Sequence, residues 1–292
     1  GHLRFLLETV GPELRQYIVT GNDEERPFSR DQRRWVYASS KRENPYFGFG
    51  TDNDLEQSPG YIVIRHSAFP VHAPHAGEPG FDPQYPLPCA KVLGGRRGRP
   101  KAFRPTSIVN VSGMSYGSLS GPAVEALNRG AHLCGALQST GEGGISDYHR
   151  KGGDIIWQVG TGYFGARDDA GRFSMEAFLE SVASARVRAI EIKLSQGAKP
   201  GLGGLLPGAK VNAEVAEARG VPIGQTVVSP PAHTAFRTPL ELIDFIDELR
   251  ELSGGKPVGF KICVGSKREF LAICKAMIER EYPGFKLTPV VP

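Results

Sequence analysis

The segment from Ser107 to Gly144 constrains the fold of this chain more strongly than any other. A largely apolar run at 107–111 leads into a turn of small and polar residues at 112–117. A helix-like segment at 122–134 comes next, and a second turn, Thr-Gly-Glu-Gly-Gly, follows at 140–144. This order predicts a parallel β/α unit whose loops lie at the carboxyl ends of its strands, where glycines let the backbone approach a flat or phosphorylated ligand.

The same alternation of strands and helices recurs downstream. Strands are predicted at Ser107–Val111, Gly135–Ser139, Ile155–Val159, Ala189–Leu194 and Val258–Cys263, and helices at 122–134, 174–186, 238–252 and 267–280. The helix at 238–252 has clear boundary signals, because Thr238 and Pro239 begin it and Ser-Gly-Gly follows its end. These repeats predict a parallel barrel or a doubly wound sheet, and the lack of a GxGxxG motif argues against a dinucleotide-binding fold.

The N-terminal third of the chain has a different composition. Residues 3–20 and 30–40 show the helical spacing of apolar residues. Residues 44–104 are rich in Gly, Pro, Asn and aromatic residues, with one good strand at 61–65. We therefore predict that residues 1–104 form a helical and irregular β extension, packed on a larger α/β body formed by residues 105–292.

Composition excludes several functional classes. The net charge of +4 over 292 residues is too small and too dispersed to indicate nucleic-acid binding. The four cysteines are too scattered for a disulfide framework, and their spacing predicts neither a zinc site nor an iron–sulfur cluster, so no metal is expected. No apolar run reaches the roughly 18 residues of a membrane span, and no signal peptide is visible, so we expect a cytoplasmic protein.

The segment 191–208 is rich in chemically useful side chains. Lys193 ends a predicted strand and is followed by Gln196, Lys199 and a glycine-rich loop. Such lysines can hold an anion or stabilise charge on a reduced ring, and glutamine can hydrogen-bond a carbonyl or ring nitrogen; the alternative is a surface turn. Lys261 lies inside the last apolar strand, where either a flavin edge or an internal acidic partner would offset its desolvation.

Several motifs together resemble a known family. The chain contains, in this order and within residues 40–283, the motifs MSYGSLS, STGEGG, KLSQGAKPGLGG, LLPGAKV, SPPAH and VGFKI. They resemble the FMN-binding synthase domain of glutamate synthase, and most closely the small stand-alone glutamate-synthase-like FMN proteins of bacteria and archaea. The resemblance implies a (β/α)8 barrel of the TIM type with FMN at its C-terminal strand ends. It also implies an oxidoreductase that reduces 2-iminoglutarate, formed from 2-oxoglutarate and ammonia, to L-glutamate, using an unidentified electron donor.

The resemblance assigns roles to the positions that match the family motifs. It implies cofactor-binding roles for Ser112, Gly113, Met114, Ser115, Gln138, Gln158 and Lys261, and catalytic or substrate-binding roles for Glu142, Lys193, Gln196 and Lys199. In this assignment Lys261 lies beside the N1–O2 edge of the flavin. A cation there stabilises the anionic reduced flavin.

The chain departs from the large glutamate synthases at positions that bear on its substrate. They have KPGEGGQLPG where this chain has Leu202 and Leu205, so leucine replaces polar contacts and 2-oxoglutarate is in question as the substrate. The chain also lacks an N-terminal nucleophilic cysteine, a glutaminase region and an iron–sulfur cysteine cluster. We therefore expect it not to release ammonia from glutamine.

About five of eight barrel units are predicted before the chain ends, without the phosphate loop that the family has further on. We expect a chain truncated at both ends, with weak or absent retention of FMN on its own. A longer protein could be membrane-associated through an upstream segment. Two alternatives stay open: a non-catalytic remnant, and another FMN barrel reaction on a 2-hydroxy or 2-oxo acid, which would normally use a histidine base.

Two histidines have open roles in the sequence. His149 could act as an acid or base, although a loop histidine without an evident partner is more often solvated. His233, in the SPPAH turn, could approach the substrate or serve only the turn.

Overall fold

The computed structural model describes residues 36–42, 68–69, 75, 77, 92–95, 98–107, 109–197 and 201–281. The chain divides into two compact units, Gly1–Val71 and His72–Pro292. In the first unit residues 36–40 are helical, inside the helix predicted at 30–40, whereas the elements predicted at 3–20 and 61–65 lie outside the described residues. The predicted division after residue 104 stays a prediction.

The second unit is built around a parallel sheet. Its strands are β1 (Leu137–Ser139), β2 (Asp154–Val159), β3 (Val187–Lys193) and β6 (Val258–Lys261), in the order β1-β2-β3-β6. A separate antiparallel pair consists of β4 (Leu205–Leu206) and β5 (Val227–Val228). The helices are α1 (Gly121–Cys134), α2 (Met175–Ala183), α3 (Ala213–Arg219), α4 (Pro239–Leu252) and α5 (Lys267–Glu281). The predicted parallel α/β architecture is confirmed, and closure into an eight-stranded barrel stays a prediction.

Local signals account for the helix boundaries. At the start of α4, Thr238 Oγ1 accepts a hydrogen bond from the Glu241 N–H, and the Glu241 carboxylate accepts one from the Thr238 N–H. Helix α3 begins after Asn212, whose side chain accepts from the Val215 N–H, and ends at Gly220 in the left-handed region. None of the helices in the described ranges combines the length and apolarity needed to cross a membrane.

The first predicted strand, 107–111, is irregular. Within its described residues only Val111 forms a bridge, parallel to Gln138 of β1. The Asn110 side chain accepts a 2.8 Å hydrogen bond from the Leu137 N–H, which a backbone carbonyl would take in a regular ladder. The segment therefore runs along β1 without forming a full strand.

One face of the sheet is apolar and covered by helices. Successive strand residues point to opposite faces. The side chains on this face include Ile155, Trp157, Val159, Ile190, Ile192 and Val258. They form one buried cluster with Phe178 of α2, several residues of α4 and Ile273 of α5. Because each large apolar side chain buried in this way contributes about 1.5–3 kcal/mol, this face holds the sheet and helices together.

The other face changes character along the strands. At the amino ends lies an apolar end, formed by Leu93, Phe103, Leu137, Ile156 and Ala189. At the carboxyl ends lies a polar end, formed by Ser139, Gln158, Glu191, Lys193 and Lys261. The carboxyl ends of parallel strands are where such folds place their functional loops, so the polar end is the candidate site.

Candidate cofactor and substrate site

The turn around Gly113 crosses the polar end. A Cβ atom at Gly113 would lie 3.0 Å from Nε2 of Gln158 and 3.1 Å from Oγ of Ser139. Both distances are shorter than ordinary contacts of a carbon atom. Glycine therefore lets this backbone lie directly against the ends of β1 and β2.

The turn that contains Gly141 interlocks with the turn that contains Gly113. Gly141 has a φ of 69°, and a Cβ atom there would lie 2.5 Å from the backbone nitrogen of Ser115. Ser115 is buried in this contact, whereas Ser112 is exposed and Met114 is half-buried. The first turn thus keeps Ser112 and Met114 accessible to a ligand.

The side chains of Gln158 and Glu191, on neighbouring strands, are hydrogen-bonded to each other. They are register partners on β2 and β3, and Gln158 Nε2 donates a 2.5 Å hydrogen bond to Glu191 Oε2. Ser139, at the same end of the sheet, has a buried hydroxyl with no hydrogen-bond partner among the described residues. An unsatisfied buried polar group costs about 1–3 kcal/mol, so Ser139 marks a place where a ligand atom could complete the bond.

Lys193 and Glu142 form an ion pair at the polar end. Lys193 Nζ lies 3.1 Å from Glu142 Oε2, and the two side chains are only 11% and 18% exposed. A Cβ atom at Gly160 would lie 2.8 Å from Glu142 Cβ, and one at Gly204 would lie 2.7 Å from Glu142 Oε1. The two glycines form a slot that fixes the Glu142 carboxylate beside Lys193.

A small pocket opens beside this ion pair. Its lining includes Glu142, Lys193, Gln196, Leu202, Gly204 and Pro231. Three of the predicted catalytic residues therefore line one pocket, and the fourth, Lys199, lies outside the described residues. The loop after β3 is tied to the loop after β6, because Ser195 Oγ accepts a 2.9 Å hydrogen bond from the Cys263 N–H.

Lys261 is the register partner of Lys193 and lies on the same face of the sheet. Unlike Lys193, it makes no ion pair with any described residue, so the internal acidic partner considered as an alternative is not found in that part of the chain. Its side chain is half-buried. A half-buried ammonium without an anionic partner is a group that a negatively charged ligand edge could neutralise.

The structure does not bring Gln138 to this cluster. Its Oε1 accepts a 2.7 Å hydrogen bond from Asn128 Nδ2, and its Nε2 donates to the Val124 carbonyl, both on α1. Gln138 therefore lies on the face opposite to the polar end, which corrects its expected position. The alternation of strand side chains explains the difference, because the next residue, Ser139, is the one that faces Gln158.

Arg219 is a candidate that no motif marked. Its side chain is 5% exposed, its Nη2 donates a 3.2 Å hydrogen bond to the Tyr116 carbonyl, and its guanidinium lies over the Phe164 ring. Burial lowers the pKa of Arg219, while the charge of Glu142 acts in the opposite direction. The sequence carries no signal for it beyond a basic residue at the end of a short helix. It places positive charge beneath the turn that contains Glu142.

Two buried histidines stabilise turns. His233 Nε2 donates to the Lys193 carbonyl at 2.9 Å, so its Nδ1 accepts from the Tyr163 hydroxyl at 3.1 Å, and burial lowers its pKa. His149 is buried, not solvated: its Nδ1 accepts from the Ser146 N–H, and burial lowers its pKa to about 4. Within the described ranges, no group of three or more His, Cys, Asp or Glu residues could hold a metal ion.

Comparisons with known proteins point to one family. A sequence model of the conserved region in glutamate synthase matches residues 99–281, more than half of the chain. The glutamate synthase large subunit-like protein YerD of Bacillus subtilis is 40% identical over 298 aligned residues, which cover 92% of this chain and 56% of that protein. This chain therefore spans about half the length of that relative.

Two further relatives match shorter stretches. The archaeal-type glutamate synthase (NADPH) of Thermotoga maritima is 38% identical over 156 residues, which cover 53% of this chain and 28% of that protein. The archaeal glutamate synthase (NADPH) of Methanocaldococcus jannaschii is 35% identical over 167 residues, which cover 56% of this chain and 30% of that protein. The residues that the family model matches, 99–281, include every residue of the polar end.

Proposed function

The chain belongs to the glutamate synthase family, and on that basis we propose that it is an FMN-dependent oxidoreductase of the glutamate synthase type. In this proposal a hydride passes from reduced FMN to a 2-imino acid, which forms from a 2-oxo acid and ammonia. The family reaction uses 2-oxoglutarate and gives L-glutamate, and an external electron donor supplies the reducing equivalents. The observation that carries the proposal is the convergence of predicted site residues on the polar end.

The parallel sheet is, in this proposal, part of a (β/α)8 barrel. Two features support the barrel. Helices cover the apolar face of the sheet, as they cover the outside of such barrels, and the polar end lies at the carboxyl ends of the strands. The polar face would then line the barrel interior.

The residues at the polar end fit an FMN ring. The hydroxyl of Ser139 lacks a partner, Gly113 permits close backbone approach, and the Lys261 ammonium has no acidic partner among the described residues. The proposed FMN-binding residues are Ser112, Gly113, Met114, Ser115, Ser139, Gln158 and Lys261. When bound, FMN supplies a hydride, and a cation at its electron-rich edge favours the reduced form.

The ion pair and the residues around its pocket offer groups that can bind a 2-imino acid. Lys193 Nζ has protons left to hold a carboxylate, and Glu142 Oε1 can hold the proton on an imino nitrogen. The half-buried Gln196 offers an amide from the same lining. Lys199 keeps its proposed role as a second lysine that binds the substrate. These groups orient the imino carbon for reduction.

Titration with FMN tests this proposal. Quenching of flavin fluorescence should show weak but saturable one-to-one binding, and photoreduced FMN on the protein should reoxidise when a 2-oxo acid and ammonium are added. Lys261→Met should weaken FMN binding about tenfold, as expected for a lost contact with a charged group. The matched control, Lys275→Met at an exposed lysine of α5, should leave FMN binding unchanged. Absent saturation, or an equal effect of both variants, would contradict the proposal.

A further inference from the structure

We propose that His233 and Tyr163 are positioning residues for the reaction at the polar end. A chain of hydrogen bonds runs from Tyr163 through His233 to the carbonyl of Lys193, and it fixes the Lys193 ammonium beside Glu142. The role of Lys193 in the reaction rests on the proposed function. The hydrogen-bond chain itself is a property of the protein without FMN, so the two can be tested separately.

The Tyr163 hydroxyl uses all of its hydrogen-bonding capacity. It accepts from the Thr234 N–H at 3.1 Å and from the Ala235 N–H at 3.0 Å. A hydroxyl has one proton and two acceptor lone pairs, so its proton is left for Nδ1 of His233, at 3.1 Å. Tyr163 therefore anchors the backbone that carries His233.

The proton on the His233 ring is fixed from both sides. The Lys193 carbonyl can only accept, so Nε2 carries the proton that it donates at 2.9 Å, and Nδ1 is the acceptor. The side chain is 6% exposed, and burial lowers the pKa of His233, which favours the neutral ring. His233 therefore has no ring nitrogen left to act as an acid or base on a substrate.

The hydrogen bond from His233 holds β3 at the point where its ladder with β2 ends. The register partner of Val159, the last residue of β2, is Ile192, one position before Lys193. Beyond that position β2 offers no partner, and His233 Nε2 donates to the Lys193 carbonyl. Because the Lys193 ammonium lies 3.1 Å from Glu142, a displacement of this backbone changes the geometry of the ion pair.

The conformation of Tyr163 supports a functional role. Its φ of 49° lies in the left-handed region, which residues other than glycine rarely adopt. The side chain is fully buried, and its ring meets the His233 ring edge to face at a centroid distance of 5.3 Å. Backbone conformations of this kind persist only where the surrounding contacts demand them, and they concentrate at functional sites.

The segment at 229–235, which contains His233, also contacts the pocket beside Lys193. Pro231 belongs to the pocket lining. The Ser229 N–H donates a 2.8 Å hydrogen bond to the carbonyl of Gly204, another lining residue. The anchor at Tyr163 therefore supports the pocket wall as well as the end of β3.

The coupling energy between Glu142 and Lys193, measured without FMN, tests the inference. A double-mutant cycle with Glu142→Gln and Lys193→Met, followed by urea denaturation, gives this energy in each background. The amide in His233→Asn can take the place of Nδ1 but does not reach the Lys193 carbonyl, whereas the amide in His233→Gln can take the place of Nε2. His233→Asn should therefore reduce the coupling energy by at least about half, and His233→Gln should retain most of it.

Two further variants separate positioning from general stability. Tyr163→Phe removes the anchoring hydroxyl and should reduce the coupling energy as His233→Asn does. Phe103→Leu, at a buried residue of the apolar end, should lower stability and leave the coupling energy unchanged. In the unmodified protein, NMR of the imidazole nitrogens should show His233 protonated on Nε2 alone.

An unchanged coupling energy in both His233→Asn and Tyr163→Phe would overturn the inference. An equal loss in Phe103→Leu, or a His233 proton on Nδ1, would also overturn it. Each of these results would leave the proposed function standing.

The effect on the reaction is measured with photoreduced FMN on the protein. His233→Asn should slow its reoxidation by 2-oxoglutarate and ammonium at least about tenfold, because a small displacement of a substrate-binding group costs that much or more. FMN affinity should stay within about twofold. Reoxidation at the wild-type rate would overturn the positioning role. Failure of the wild type to bind FMN would instead overturn the proposed function, and the hydrogen-bond chain would stand without a role in the reaction.

Discussion

The two ends of the same sheet face are built on opposite principles. At the apolar end Phe103, Leu137 and Ala189 pack together, and Arg186 pairs with Asp154 nearby at 2.8 Å. At the polar end, the Ser139 hydroxyl and the Lys261 ammonium have no partner among the described residues.

Within a single strand, the amino end contributes to stability and the carboxyl end to ligand binding. Residues two positions apart on one strand, such as Leu137 and Ser139, share a face but face different neighbours. The amino end is held together by the packing of its own apolar side chains. The carboxyl end leaves polar groups without a partner among the described residues, which is the pattern expected of a binding site.

The largest predicted effect comes from breaking the apolar end. Phe103→Ala removes a buried aromatic side chain, so it should lower the free energy of unfolding by about 3–5 kcal/mol in urea denaturation. FMN affinity of the folded fraction should stay within about twofold, because the polar end is untouched. Leu133→Ala, at an apolar residue that is 86% exposed, is the control and should change stability by less than about 0.5 kcal/mol. A large loss of FMN affinity without a loss of stability would contradict the separate roles of the two ends.

The next effect concerns His149, a buried histidine that follows the turn at 140–144 in the sequence. Burial holds the pKa of folded His149 at about 4, below its ordinary value of 6.5, so the unfolded chain binds more protons between these pH values. The contribution of neutral His149 to the free energy of unfolding is therefore fully present above pH 6.5. It is lost as the pH falls toward 4, by about 3 kcal/mol in total. Urea denaturation at several pH values should show this slope in the wild type relative to His149→Gln. Parallel pH profiles for the two proteins would show that His149 does not contribute in this way.

A smaller effect on stability distinguishes the two lysines of the polar end, Lys193 and Lys261. Lys193→Met leaves the fixed Glu142 carboxylate without its partner and should destabilise the fold by about 1–3 kcal/mol. The double variant with Glu142→Gln should recover most of that loss. Lys261→Met should not destabilise the fold, since Lys261 has no ion-pair partner among the described residues. Equal stability losses in both single variants would refute the assignment of separate roles.

The smallest effect on stability is expected at Ser139. Ser139→Ala removes a buried hydroxyl that lacks a partner, so the free energy of unfolding should stay within about 0.5 kcal/mol or rise, while FMN binds roughly fivefold more weakly. Ser181→Ala is the matched control, because Ser181 donates a hydrogen bond to the Gly165 carbonyl and its loss should cost about 1 kcal/mol. Thermal denaturation and FMN titration measure both quantities. A stability loss at Ser139 equal to that at Ser181 would show that its hydroxyl is already satisfied.

The main elements could be predicted from the sequence because their apolar spacing is regular. Four of the five predicted strands and all four predicted helices after residue 104 appear within a few residues of their expected bounds. The run at 107–111 fails because Asn110 replaces a backbone partner, an interaction that no periodicity reveals. Helix α3 and strands β4 and β5 are too short to give a periodic pattern.

Residues of the candidate site could be predicted from the sequence only where they lie in a motif. Glu142, Lys193 and Gln196 lie in motifs, and the structure places them in one pocket. Gln138 was assigned to the cofactor by the motif resemblance, which does not say to which face of β1 its side chain points, because that depends on a register that the sequence does not fix. Arg219 approaches the site only through tertiary packing, from a helix distant in sequence.

Hydrogen–deuterium exchange with and without FMN tests the central claim most directly. If the polar end is the flavin site, FMN should slow exchange in the segments that follow the strands, around Gly113, Gly141, Gln158, Lys193 and Lys261. Exchange at the apolar end, in residues 101–104 and 186–188, should not change. Protection at the apolar end, or no protection around Gly113 and Lys261 at saturating FMN, would contradict the account.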